Sequence, residues 1–149
     1  LTPSRKETAM RIAEIMTREV DRVTPATSIV DAAGKMRADD VGALPVEEND
    51  RLVGMVTDRD IVVRVLGNGR DAASASVRDA MSGDVYYVFD DEAPDAVARN
   101  MSEMQVRRMP VVDRDKRLVG IVSLGDLAAH VDAGAAGKAL EGVCEDRPG

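Results

Sequence analysis

Aromatic side chains make up only 2% of this 149-residue sequence: Tyr86, Tyr87 and Phe89, with no tryptophan. A nucleic-acid binder that stacks bases on aromatic platforms is therefore not expected. The single cysteine, Cys144, excludes a disulfide within the chain and fits a reducing compartment. No apolar run approaches the ~20 residues needed to span a bilayer. Residues 1–10 are polar and charged, unlike a secretory leader. Twenty basic residues stand against 27 acidic ones, a net charge of −7, so there is no global field for a nucleic acid or an anionic membrane. The expectation is a cytoplasmic protein with neither as a partner. What remains is ordinary for a globular domain: 44% hydrophobic and 32% charged residues over about one domain's length.

The chain repeats itself. Leu44-Pro45-Val46 recurs 65 residues later as Met109-Pro110-Val111, and Met16-Thr17 recurs at the same offset as Met81-Ser82. Leu52-Val53-Gly54-Met55-Val56-Thr57 recurs 66 residues later as Leu118-Val119-Gly120-Ile121-Val122-Ser123, followed by Asp60 and Asp126. The offset changes between Glu48 and Arg51, in a turn, where an insertion costs least.

Each half carries the same local signals in the same order. A short helical turn ends in a methionine, over Ile12 to Met16 and Val77 to Met81. A brief apolar stretch follows, with Val20 and Val23 in the first half and Val85 to Phe89, read as a strand, in the second. An amphipathic helix comes next, with Ile29, Ala32, Ala33 and Met36 in the first half. Its counterpart carries Val97, Ala98, Met101 and Met104. Two strands joined by a turn follow: Ala43 to Glu47 with Leu52 to Val56, then Met109 to Asp113 with Leu118 to Val122. A last helix runs from Asp58 to Leu66 with Gly67 as its cap, and its partner from Leu124 to Asp132. The fold class read from this pattern is α+β. Two strand–helix–strand–strand–helix repeats, over 10–70 and 76–133, pack their sheets together about a pseudo-twofold, because a half of ~60 residues is marginal alone. Residues 134–149 form a C-terminal tail.

These motifs carry a family resemblance. Gly42 to Val46, Leu52 to Ile61, Val106 to Asp113 and Leu118 to Leu127 together resemble a tandem pair of CBS domains, the regulatory module named after cystathionine beta-synthase. The likeness covers Ile12 to Val131 and is similar to short stand-alone bacterial CBS pairs of the hypoxic-response type. It implies flat homodimers, adenine nucleotides held in clefts between repeats, and a protein effector that reads the bound state.

Thr57-x-x-Asp60 and Ser123-x-x-Asp126 stand where a strand becomes a helix. As structure, each is a capping box. A carboxylate held there can also accept both vicinal hydroxyls of a ribose, and the resemblance assigns Asp60, Asp126, Thr57 and Ser123 to that role. Arg107-Arg108 precedes the strand at Met109. It is either solvated surface charge or an ion pair, or, by the resemblance to nucleotide-sensing repeats such as those of the gamma subunit of AMP-activated kinase, a phosphate contact. A guanidinium fork suits a phosphate. The halves are unequal: Gly42 and Ala43 stand where the second half has the arginines, and Asp58 adds negative charge to the first loop. One better site at Asp126 and Ser123 is therefore expected, with the Asp60 site weaker, empty or selective for a less charged ligand.

The ligand class is AMP, ADP or ATP, with NAD(H) and S-adenosylmethionine sharing the same ribose and adenine. No cofactor is required. No catalytic residue is expected, since one His, one Cys and no nucleophile–base pair argue against an enzyme. No metal site is expected either: His130 lies at a helix end and Cys144 in the tail. The alternative function is a scaffold for dimerisation or protein interaction that binds no ligand. Tyr86 and Tyr87 are expected on opposite faces of a strand. Ile61, Val65, Leu127 and Val131 suit either a helix-mediated homodimer or burial within one chain.

Overall fold

The computed structural model describes residues 10–130. The tail, Cys144, Val131 and the expected helix end at Asp132 lie outside these residues. Two compact units divide the described chain: residues 20–85 with 116–118, and residues 10–19 with 86–115 and 119–130.

In the unit built mainly from residues 20–85, helix α1 (Ile29–Asp39) starts at Ser28, whose hydroxyl accepts the Asp31 N–H at 3.0 Å. Its buried face is Ile29, Ala32 and Met36, while Ala33 is exposed. Strands β1 (Ala43–Glu48) and β2 (Arg51–Thr57) pair antiparallel, with Leu44 opposite Val56 and Val46 opposite Gly54. Asn49 and Asp50 both have positive φ, the backbone that a two-residue hairpin turn needs to follow the strand twist. The leading strand reduces to one parallel bridge from Val23 to Val46. Beyond β2, one α-helical turn, α2 (Asp58–Asp60), runs straight into a π-helix (Ile61–Leu66). Gly67 caps it, its N–H reaching Val62 O at 2.7 Å, but with right-handed backbone; the left-handed residue is Gly69 (φ 72°).

In the other unit, β3 (Val88–Phe89) runs parallel to β4 (Arg108–Val112), with β5 (Leu118–Ser123) on β4's far side. The strand expected over Val85 to Phe89 thus shrinks to two residues. Tyr86 and Tyr87 are not on it: Tyr86 is exposed, and the Tyr87 ring meets Phe89 edge-on at 5.6 Å. The Arg114 guanidinium lies 4.0 Å from the Phe89 centroid and makes a two-bond fork to Asp91, which holds the Asp91 carboxyl below its ordinary range. Helix α3 (Pro94–Met104) buries Pro94, Val97, Ala98 and Met101 and leaves Met104 exposed. Helix α4 (Leu124–His130) buries Leu124 and Leu127. Pro110 sits in the middle strand of this sheet, where a missing N–H is ordinarily harmful. It is tolerated because pairing with β3 begins one residue later, at Val111.

The two leading turns are exchanged. The 3-10 turn Ile12–Glu14 packs with the second repeat's elements: Ile12 N–H reaches Glu92 O at 3.0 Å, and Thr17 trades backbone hydrogen bonds with Ile121 at 2.8 and 2.9 Å. The equivalent turn Val77–Asp79 packs with the first repeat's elements. Its Val77 N–H reaches Thr27 O at 2.8 Å, and Ser82 trades bonds with Met55 at 2.9 and 3.0 Å. The cores match position for position. Ile12, Val88, Met101, Val111 and Val122 in one correspond to Val77, Val23, Met36, Val46 and Val56 in the other.

Asp79 anchors its exchanged turn. Its carboxylate accepts the Ser76 N–H at 3.0 Å and pairs with Arg70; these two bonds, Ser76's first, hold its pKa below the ordinary 3.8. A depressed folded pKa means stabilisation that is complete above the unfolded pKa and lost as pH falls through the folded one. Asp79→Asn is expected to remove this contribution at neutral pH. Urea midpoints between about pH 3 and pH 7 should show the variant less stable near neutrality and converging on the parent below about pH 4.

Candidate functional site

Thr57 and Ser123 end β2 and β5, so the sheet fixes their backbones just as the chain turns helical. The Thr57 hydroxyl accepts the Asp60 N–H at 3.0 Å, and Asp60 Oδ2 accepts the Thr57 N–H at 3.0 Å. Ser123 and Asp126 repeat the arrangement at 3.1 and 3.0 Å. Both capping boxes expected from the sequence are therefore present. Each carboxylate is half-buried and uses only Oδ2, so Oδ1 takes no hydrogen bond from the described residues. Each repeat thus presents a carboxylate oxygen of fixed direction beside a hydroxyl, the donor–acceptor set that a vicinal diol requires.

The residue just before the opposite strand supplies the second half of each edge. Leu124 N–H donates to Arg107 O at 3.0 Å, and Asp58 N–H donates to Gly42 O at 2.9 Å. These equivalent bonds place Arg107 where Gly42 stands in the first repeat, and Arg108, the first residue of β4, where Ala43 opens β1. Arg107 and Arg108 are both exposed, and among the described residues neither guanidinium meets a carboxylate within ion-pair distance.

The structure brings Ser123, Asp126 and the Arg107 backbone together at one edge, and Thr57, Asp60 and Gly42 at the other. The sequence reading named Gly42 and Asp58 separately and missed that they touch. A Cβ on residue 42 would lie 3.0 Å from Asp58 Oδ2. Sixteen positions separate them, with a hairpin between, and only the strand pairing reveals the contact.

His130 is exposed at the end of α4, and among the described residues no group of three His, Cys, Asp or Glu side chains is placed to hold a metal. Nor is any described helix long and apolar enough to cross a membrane. Of the apolar positions on the two last helices, Val65 and Leu127 are fully buried. The residues left exposed are instead Val62 (56%), Val63 (48%) and Leu66 (54%) on the π-helix.

The CBS-domain family model matches residues 12–67 and again 77–133. The chain belongs to the CBS-domain family. A CBS domain-containing protein, YhcV of Bacillus subtilis, is 38% identical over 133 residues, spanning 89% of this chain and 94% of its own. Hypoxic response protein 1 of Mycobacterium tuberculosis is 38% identical over 132 residues, spanning 88% and 92%. A crystal structure of hypoxic response protein I, with two coordinated zinc ions, superposes with a TM-score of 0.73 at 39% identity, covering 83% of this CBS pair and all of that chain. CBSX2, seen in complex with AMP, superposes at 0.70 and 30% identity, covering 81% of this CBS pair and 95% of that chain. The α+β fold with two small sheets is the one these CBS proteins share.

Proposed function

We propose that this CBS pair is a regulatory module that senses an adenosine nucleotide, AMP, ADP or ATP, and passes a conformational change to a protein effector. Asp126 and Ser123 hold the ribose, Arg107 and Arg108 the phosphate, and Asp60 and Thr57 form the weaker counterpart. The observation that carries this reading is the Asp126 carboxylate, fixed through Oδ2 while Oδ1 takes no hydrogen bond from the described residues, on an edge that also bears two exposed arginines with no carboxylate partner among the described residues. The AMP complex of CBSX2, at 30% identity, supports the ligand class. The chain's role is to bind rather than to catalyse, in the cytoplasm. A ligand can shift its conformation only by binding the two states unequally.

Calorimetric titration of the purified chain with AMP, ATP, NADH and S-adenosylmethionine tests this reading. Saturable binding of an adenine nucleotide is the expected result. Binding of none of the four by folded, nucleotide-free protein would leave the second reading, a scaffold that binds no ligand. That reading draws on the capping boxes, which account for both motifs as structure alone.

Either role is served by a homodimer, and Val62, Val63 and Leu66 offer the apolar surface for it. Leu66→Glu is expected to shift sedimentation toward the monomer. An unchanged sedimentation coefficient for a dimeric variant would remove this face from the interface.

A further inference from the structure

We propose that Asp58, standing against Gly42, makes the first repeat's edge refuse phosphate and accept nucleosides whose 5′ group is neutral or cationic. This inference rests on the nucleotide reading above and assigns a ligand class to the edge left weaker there.

Residues 42 and 58 are one pair in the first repeat, and residues 107 and 124 are the same pair in the second. The equivalent backbone bonds, Asp58 to Gly42 at 2.9 Å and Leu124 to Arg107 at 3.0 Å, establish the correspondence. In the second repeat the pair is Arg107 with a buried Leu124, so the side chain just before the strand is a cation and its neighbour is apolar. In the first repeat the pair is reversed. Gly42, just before the strand, has no side chain, and its neighbour is an exposed carboxylate. Asp58 Oδ2 lies 3.0 Å from where a Cβ on residue 42 would be, so the acid stands where Arg107's side chain departs in the other repeat. Asp58 Oδ1 is fixed by the Arg59 N–H at 2.8 Å, which keeps the carboxylate in place.

The charges follow. Asp58, Arg59 and Asp60 give the first edge a formal −1; Arg107, Arg108 and Asp126 give the second +1. A phosphate that meets two guanidinium groups at one edge meets an oriented carboxylate at the other. The ribose-holding set is retained at both, since Thr57–Asp60 and Ser123–Asp126 have the same geometry. The two repeats therefore share recognition of the sugar and part company at its 5′ substituent. One unit charge at a partly screened contact is worth about tenfold in affinity.

Adenosine and AMP are the probes, because they differ only in the phosphate. The whole 149-residue chain carrying Asp126→Ala isolates the first edge. It is expected to bind adenosine about tenfold more tightly than AMP. Adding Asp58→Asn, which keeps the side chain's shape, should erase that preference. Adding Gly42→Arg with Asp58→Leu, which installs the second repeat's pair, should reverse it. AMP bound as tightly as adenosine by the Asp126→Ala chain would overturn the proposal. So would a preference that survives Asp58→Asn. If the parent chain binds AMP but the Asp126→Ala chain binds neither probe and the exchanged pair adds no AMP site, this proposal fails while the nucleotide reading stands. If the parent chain binds neither probe, both fail.

Discussion

Gly54→Ala should lower stability by about 3 kcal/mol, at the upper end of what overpacking does to a core. A Cβ at this position would lie 2.4 Å from Ser82 O and 2.6 Å from Met81 Cε. The methionine tip can swing away, but the carbonyl cannot. Ser82 is tied to Met55 by two backbone hydrogen bonds, at 3.0 and 2.9 Å, and moving its oxygen breaks the ladder that seats the exchanged turn. Gly120→Ala should behave alike, with Thr17 O at 2.6 Å and Met16 Sδ at 2.8 Å. Gly34 is the control: it lies in α1 with nothing within 4 Å of a built Cβ, so alanine there should stabilise by about 0.5–1 kcal/mol through helix propensity. Urea denaturation of the three variants separates these cases. A Gly54→Ala protein as stable as its parent would mean that Ser82 does not sit on this edge of β2.

Asp126→Ala is expected to weaken nucleotide binding by tenfold or more, the scale of removing a charged hydrogen-bond acceptor. The same change strips the reciprocal half of the Ser123 capping box, which costs about 1 kcal/mol of stability. The two effects can be told apart. Ser123→Ala also breaks the box, since the Asp126 N–H loses its 3.1 Å acceptor, but it leaves the carboxylate. If capping alone matters, the two variants will lose similar stability and bind nucleotide equally well. If Asp126 holds the ribose with Ser123 assisting, replacing the carboxylate will abolish tight binding, whereas removing the assisting hydroxyl will weaken it to a smaller degree. Affinities measured by calorimetry beside thermal melts of both variants give the two readouts. Parental affinity in a folded Asp126→Ala protein would end the ribose assignment.

Most of what local chemistry controls was legible from the residues. The 65-to-66 change of offset marks a real difference between hairpins. The first turns on Asn49 and Asp50, both left-handed, while the second takes a longer path in which Lys116 has positive φ. Both capping boxes follow from a hydroxyl residue, a three-residue spacing and an acid. The helix faces could be read at Ile29, Ala32 and Met36, and at Val97, Ala98 and Met101. The misses are questions of partnership or of helix winding. Val85 to Tyr87 have strand propensity but no strand beside them, since β3 pairs with β4 only from Val88 to Phe89. Val62, Val63 and Leu66 are exposed and Val65 buried because the last helix of the first repeat is wound as a π-helix, which changes the angle between successive side chains. The exchange of leading turns leaves no local trace, since Thr17 finds Ile121 across almost the whole described chain. At the candidate edge, the residues were visible singly, but the opposition of Gly42 to Asp58 depends on the strands between them.

That exchange sets a timetable for synthesis. Residues 10–19 leave the ribosome well before β5, carrying the apolar Ile12, Ile15 and Met16. The strand that receives them is not complete until Ile121 has emerged, about 5 to 20 s later at ordinary elongation rates. In that interval the turn has no edge of its own to pair with. Any truncation that ends before β5 strands the segment permanently, so a first repeat expressed by itself begins with an apolar turn that has nowhere to go.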